Sequence, residues 1–318
     1  MSENTSQGLP PTLRHFLGQK SIIESAQIAL DAAFQEGTSF PSALLCGPPG
    51  VGKTLLCKVL AQEMATPYIE VLGQSLTTPS ELNALLLTAT EKAILLVDEA
   101  NEMNASLQTI LYKSTEERKI YLESSQPGRP PQAVPIADFT LLLASNHEHS
   151  IVQPLRDRMR MVFRFEFYSP AELVEVVRQR CRGLSWSIDD AVLQLIAERG
   201  RGTPRIALRI LEGCRRVCRS QGEMTITQAH FEKACHLDGI DSIGLERSEL
   251  QLLRMLHEAG GPVRLNVLAS RLGPPSKTVA DVFEHFLIRE GLMERTATGR
   301  QITAKGREHL IAHATVGV

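Results

Sequence analysis

The sequence predicts three folds in series. An α/β phosphate-loop domain with a parallel sheet and flanking helices spans residues 1–168, an all-helical domain 169–239, and a winged helix 240–318. Three observations carry that prediction. Gly47-Pro48-Pro49-Gly50-Val51-Gly52-Lys53-Thr54 fits G-x-x-x-x-G-K-[ST] and lies between an apolar run and a helical pattern. Two further apolar runs, residues 94–97 and 139–144, end in acidic or polar side chains, as do parallel strands that carry a ligand at their carboxyl ends. Beyond Ser169 the alternation of strands and helices stops, and the last stretch reads as helices followed by a hairpin.

The residue types of the loop suit its chemistry. Glycine lets the backbone curl around a polyphosphate without a Cβ clash. The amide N–H groups then point inward, and the positive end of the next helix favours an anion. Lys53 supplies a compact charge for the β/γ-phosphates, and Thr54 a hydroxyl for Mg²⁺. Gly50, Gly52 and Leu55 complete the expected nucleotide contacts from this segment. Context separates the motif from a chance glycine turn. Residues 43–46 read as a short buried strand, and Leu55, Leu56, Val59, Leu60 and Met64 recur at helical spacing.

Ahead of the loop, residues 1–7 are polar and expected to be disordered. A helix carrying Ile22, Ile23, Ala26, Ala29, Leu30 and Ala33 follows Phe16-Leu17-Gly18-Gln19, a segment that either packs on a nucleotide base or is plain structure. After the loop come a strand at 68–71, a helix at 80–86, and the apolar strand ending in Asp98-Glu99. Asp98 is expected in the Mg²⁺ shell and Glu99 to polarise the attacking water. Residues 120–137, rich in proline, read as an exposed hairpin or loop. The strand at 139–146 ends in Asn146, a candidate to orient the same water. His147 and His149 read as loop surface. Arg156 and Arg158 are either solvated charge or, in a nucleotide-driven ring, an arginine reaching the γ-phosphate of the adjacent subunit. Phe163, Phe165 and Phe167 are expected to alternate along a last strand ending near Tyr168.

Four helices are expected next, at 172–182, 188–199, 204–220 and 227–237, with Ser169 and Thr227 as caps. Arg205 stands in a first helical turn, against the dipole, and so answers to an anion rather than to helix stability. In the last stretch Ser276 is expected to cap a helix running through Phe286, and two strands flank the turn 296–300. Arg295 and Arg300 border a hairpin tip suited to neutralising phosphates; protein contact is the alternative use.

Composition bounds the rest. At 318 residues, with 43% hydrophobic and 22% charged residues, the chain reads as a globular protein of two or three domains. A formal net charge of -2 places any nucleic-acid surface locally rather than over the whole molecule. The six cysteines show no C-x-x-C pair and read as reduced thiols. With no signal peptide or apolar span, the expected compartment is the cytoplasm.

Taken together, these motifs resemble the RuvB family, the AAA+ motors of bacterial Holliday-junction branch migration, from about Leu13 to near the end of the chain. The resemblance is carried by Gly47 to Thr54, Pro154-Leu155-Arg156-Asp157-Arg158, Glu166-Phe167-Tyr168, Arg201-Gly202-Thr203-Pro204-Arg205-Ile206-Ala207, Gly260-Gly261-Pro262-Val263 and the ends of the wing at Arg295 and Arg300. It implies a hexameric ring encircling duplex DNA at a four-way junction, with ATP and Mg²⁺ between neighbouring subunits. It implies RuvA as the partner docked by the 120–137 hairpin, and RuvC as a further one. Lys53, Thr54, Asp98 and Glu99 fall on the family's phosphate, Mg²⁺ and water-activating positions. Arg158 falls on the trans-acting finger, Tyr168 on a nucleotide contact, Arg205 on the cis-acting sensor arginine, and Glu116 in a segment near nucleotide. Arg295 and Arg300 match the DNA-contacting wing.

The chain departs from the family pattern at several places. Asp98-Glu99-Ala100-Asn101-Glu102 replaces Asp-Glu-Ile-His-Arg, and Ala144-Ser145-Asn146-His147 replaces Ala-Thr-Thr-Arg. Leu9-Pro10 stands for Arg-Pro, Ala297 and Thr298 for proline and arginine, and Pro127-Gly128-Arg129-Pro130-Pro131 alters the hairpin. Two functions therefore compete: an ATP-hydrolysing DNA translocase, and a divergent nucleotide-switched regulator that binds DNA or protein.

Overall fold

The computed structural model describes residues 10–122 and 131–316. The expected disorder of residues 1–7, Leu9, and Pro127-Gly128-Arg129-Pro130 lie outside the described residues. The chain forms two compact units, residues 1–184 with 202–205, and residues 185–201 with 206–318.

The first unit opens with α1 (Lys20–Glu36), whose Ile22, Ala26, Leu30 and Ala33 form a buried stripe at helical spacing. It continues through β1 (Ala43–Cys46), α2 (Lys53–Glu63), β2 (Tyr68–Leu72), α3 (Pro79–Thr88), β3 (Ile94–Asp98) and α4 (Ala105–Glu117). The hairpin β4 (Lys119–Leu122) and β5 (Gln132–Pro135) follows, then β6 (Thr140–Ser145), α5 (Gln153–Arg158), β7 (Met161–Arg164) and α6 (Pro170–Gly183). Five strands make one parallel sheet in the order β2-β3-β6-β1-β7. The central strands β1 and β6 are buried at every position, because helices cover both faces. Parallel register therefore brings Cys46, Asp98 and Ser145 to one carboxyl edge of the sheet.

The sequence reading needs correction at β7. The strand stops at Arg164, and although Phe163 and Phe165 are buried, Phe167 is 45% exposed. The chain is drawn off the sheet beyond Phe165, where the Gln19 side chain donates to Glu166 O (2.8 Å) and accepts from Glu166 N (3.2 Å). At the start of α6 the expected cap holds: Ser169 and Glu172 form a reciprocal capping box.

The second unit contains β8 (Ser187–Ile188), α7 (Asp190–Arg199), α8 (Pro204–Ser220, from Ile206 in this unit), β9 (Thr225–Ile226) and α9 (Gln228–Asp238). Ile188 lies in the short parallel pair β8–β9 rather than in a helix. It continues with α10 (Arg247–Ala259), α11 (Leu265–Leu272), α12 (Ser276–Thr278), α13 (Glu284–Arg289), β10 (Met293–Arg295), β11 (Arg300–Ile302) and α14 (Ala304–Val316). Between α12 and α13 the helix makes a π turn over Val279–Phe283. Ser276 is the first helical residue and Pro275 precedes it as cap, so the expected serine cap is absent. β10 and β11 pair antiparallel as the wing and close on the apolar core of Leu253, Leu268, Val279, Leu287 and Ile302.

Candidate nucleotide site and wing

The site grows from the carboxyl edge of the sheet. β1 delivers the chain into the glycine loop, and Lys53 begins α2 directly behind it. At Gly50, φ is +78°, and an added Cβ would stand 2.7 Å from Thr203 Cγ2 and 2.8 Å from Arg205 Cβ. Only glycine fits there, because the segment 202–205 lies against the loop. Arg205 N donates to Gly50 O (3.3 Å), which sets the first turn of the helix beginning at Pro204 against the phosphate loop.

Lys53 is only 8% exposed. Its ammonium donates to Gly47 O (2.7 Å), Pro48 O (2.8 Å) and Asn146 Oδ1 (2.8 Å), which uses all three of its donors. Burial pushes it down to about 8; the Asp98 carboxylate opposes that shift and the Arg205 guanidinium reinforces it. Two cations thus face one loop, an arrangement that an anion relieves.

Thr54 Oγ1 donates to Asp98 Oδ2 at 2.6 Å, and Asp98 Oδ1 accepts from Glu99 N at 2.9 Å. A hydroxyl and a carboxylate so placed are hard oxygen ligands of the kind Mg²⁺ takes. The residues present therefore fit that ion and a polyphosphate. Glu99 is exposed, with a left-handed φ of +51° that turns the chain sharply at the strand end. Ser145 Oγ donates to Asn101 Oδ1 (3.0 Å), tying the acidic turn to β6.

Tyr168 is 6% exposed and its ring lies where a Cβ on Gly18 would be. Its backbone N donates to Gly202 O (2.8 Å), and burial pushes its phenol up. Phe16 approaches Gly52 beside it. Of this aromatic lining, Tyr168 was expected from the resemblance and Phe16 only as one alternative reading of residues 16–19. Leu55 is half-buried in the first turn of α2.

Arg158 is not brought to Lys53. It sits before β7, at the amino edge of the sheet, where it pairs with Glu116 and lies 5.7 Å from the centre of the Tyr112 ring. Lys53 and the loop lie at the opposite, carboxyl edge. Glu116 accordingly stands with Arg158 and not with the loop.

The wing arginines are already engaged. Arg295 Nε donates to Glu284 Oε2 (2.9 Å) and Arg300 Nε to Glu284 Oε1 (2.8 Å), while the Glu284 side chain is fully buried. The tip between them, Thr296 to Gly299, carries no charge. Glu284 escaped the sequence reading, since nothing marks it among the acids of an amphipathic helix.

No helix among the described residues is long and apolar enough to cross a membrane. The six cysteines are buried and free.

Three family models match successive stretches of the chain. Residues 9–165 match the Holliday junction DNA helicase RuvB P-loop domain, 168–241 the RuvB AAA lid domain, and 242–311 the RuvB C-terminal winged helix domain. A Holliday junction branch migration complex subunit RuvB from Kosmotoga olearia is 34% identical over 95% of this chain and 89% of its own length. Its counterpart from Ehrlichia canis is 32% identical over 95% and 92%. The solved Thermotoga maritima RuvB Holliday junction branch migration motor superposes with a TM-score of 0.85 at 30% identity, covering 96% of this chain and 99% of its own. With matches running through all three parts, the chain belongs to the RuvB family.

Proposed function

We propose that this chain is an ATP-driven DNA motor. It encircles duplex DNA as a homo-hexamer and drives branch migration of Holliday junctions with RuvA, RuvC being a further partner. One observation carries the reading: Lys53, the Thr54–Asp98 pair and Arg205 converge on a single glycine loop, in a RuvB-family chain. Its three working parts are residues 1–168, 169–239 and 240–318.

Lys53, held here by Gly47 O, Pro48 O and Asn146, would bind the β/γ-phosphates of ATP, leaving Asn146 to orient water and Glu99 to activate it. Thr54 and Asp98 would hold Mg²⁺, which would neutralise charge on the phosphate oxygens. Gly50, Gly52 and Leu55 pack along the phosphates, Tyr168 lines the base side, and Arg205 senses the γ-phosphate in its own subunit. Arg158, at the far edge of the sheet, serves the neighbour's nucleotide, and Glu116 holds it until that neighbour arrives.

ATP turnover measured with and without a four-way junction and RuvA tests this. Junction-stimulated turnover that Lys53→Ala abolishes is expected; turnover unchanged in Lys53→Ala overturns it. Mixing Lys53→Ala with Arg158→Ala subunits should restore turnover at interfaces built from one intact half of each.

The uncharged wing tip at Ala297 and Thr298 favours a second reading, a nucleotide-switched regulator on DNA or protein. Robust migration of junctions by the purified chain excludes it.

A further inference from the structure

The wing holds an acid that the activity described so far does not use. Glu284 has no exposed surface, although its helix neighbour His285 faces solvent. The π turn over Val279–Phe283 explains its position. Val279 and Glu284 are both buried five residues apart, the spacing of one π turn, whereas an unbroken α-helix would bring Phe283 beneath Val279. The turn thus directs a carboxylate at the base of the wing.

There it meets two cations. Arg295 and Arg300 face one another across the β10–β11 pair, and both give their Nε and Nη2 groups to Glu284. Like charges directly opposite on a hairpin repel and splay. A carboxylate between them removes that repulsion and fixes both side chains. Among the described residues the Nη1 edge of each guanidinium is unengaged; the Arg295 side chain is half exposed and that of Arg300 is 20% exposed.

We infer that Glu284 is a positioning residue for DNA: it holds Arg295 and Arg300 as a preformed pair that contacts the phosphate backbone of duplex DNA. This rests on the proposed DNA-gripping role of the wing. The pair and its acid carry a net charge of +1, and with no cation at Thr296 to Gly299 the base of this wing, not its tip, supplies its grip. Preorganisation matters here because a free arginine side chain loses considerable rotamer entropy when it is pinned to a phosphate.

The test is Glu284→Gln in the full chain, read by anisotropy of a labelled 30-bp duplex over a range of salt concentrations. Removal of a merely neutralising acid would tighten binding and steepen its salt dependence. Positioning gives the opposite sign: binding weakens by about tenfold and the slope of log K against log salt shrinks by about one to two, as phosphate contacts are lost. Unchanged or tighter DNA binding by Glu284→Gln overturns the inference. Thermal unfolding and DNA-free ATP turnover report whether the variant remains folded; should it unfold, Glu284→Asp, which keeps the charge but withdraws it by one methylene, is read on the same scale with the same two outcomes. Arg295→Ala/Arg300→Ala separates this from the broader reading. If that double variant binds duplex as the parent does, the wing is not the grip. If it weakens binding and the Glu284 variants do not, only the positioning role fails.

Discussion

Binding of a triphosphate should draw a proton from solvent, and Lys53 is the reason. In the free protein its ammonium is buried and its titration lowered to about 8. A polyphosphate in the loop favours the charged form and returns the group toward its ordinary value of about 10.4. At pH 8 about half the lysines are neutral before binding, so about half a proton is taken up per nucleotide; at pH 9 it is close to one, and at pH 7 about a tenth. The full swing is about 3 kcal/mol of binding free energy, appearing as affinity that falls as pH rises above 8. Titration calorimetry in two buffers of different ionisation enthalpy measures this uptake directly, above pH 7.5, where the terminal phosphate (pKa near 6) is already ionised. Lys53→Arg, which does not titrate in this range, is the control. Uptake that is flat between pH 7.5 and 9, or equal in the control, refutes the argument. For the free protein's stability, the native state binds fewer protons than the unfolded chain between pH 8 and about 10.4, so Lys53 weighs against folding below pH 8 and ceases to as pH rises through that window.

Three further outcomes follow from packing. Arg201 and Glu249 form an ion pair within the second unit, their side chains 8% and 4% exposed, with Arg201 Nη1 donating to Oε1 at 2.8 Å. Glu249→Ala removes the carboxylate facing a buried guanidinium and should cost about 3–5 kcal/mol in denaturant unfolding. Gly50→Ala meets both a positive φ and the Thr203 and Arg205 side chains, so nucleotide binding should fall sharply while the fold loses only about 1–2 kcal/mol. Tyr168→Ala should open a cavity against Gly18 and lower thermal stability by about 3–5 kcal/mol, whereas Tyr168→Phe should keep most of it.

The local motifs were legible because their information is local. The loop, the strand entering it and the helix leaving it occupy consecutive residues, and each needs only its own dihedrals and periodicity. Asp98 and Asn146 could be placed at the same edge as the loop because parallel strands with acidic or polar ends permit few arrangements. Phe167 was misread because alternation continues in the sequence after the chain has left the sheet. Ser276 was misread because a serine beside proline resembles a cap whether or not it is the first helical residue.

What the sequence by itself determined is the phosphate loop, its order among strands and helices, and the presence of a helix-and-hairpin tail. Only the tertiary structure decided that Arg205 rests on Gly50, that Arg158 stands at the far edge of the sheet from Lys53, and that Glu284 lies between the wing arginines. Each of these depends on contacts between residues distant along the chain or on one turn of helix departing from its usual period, and neither is written in the spacing of side chains.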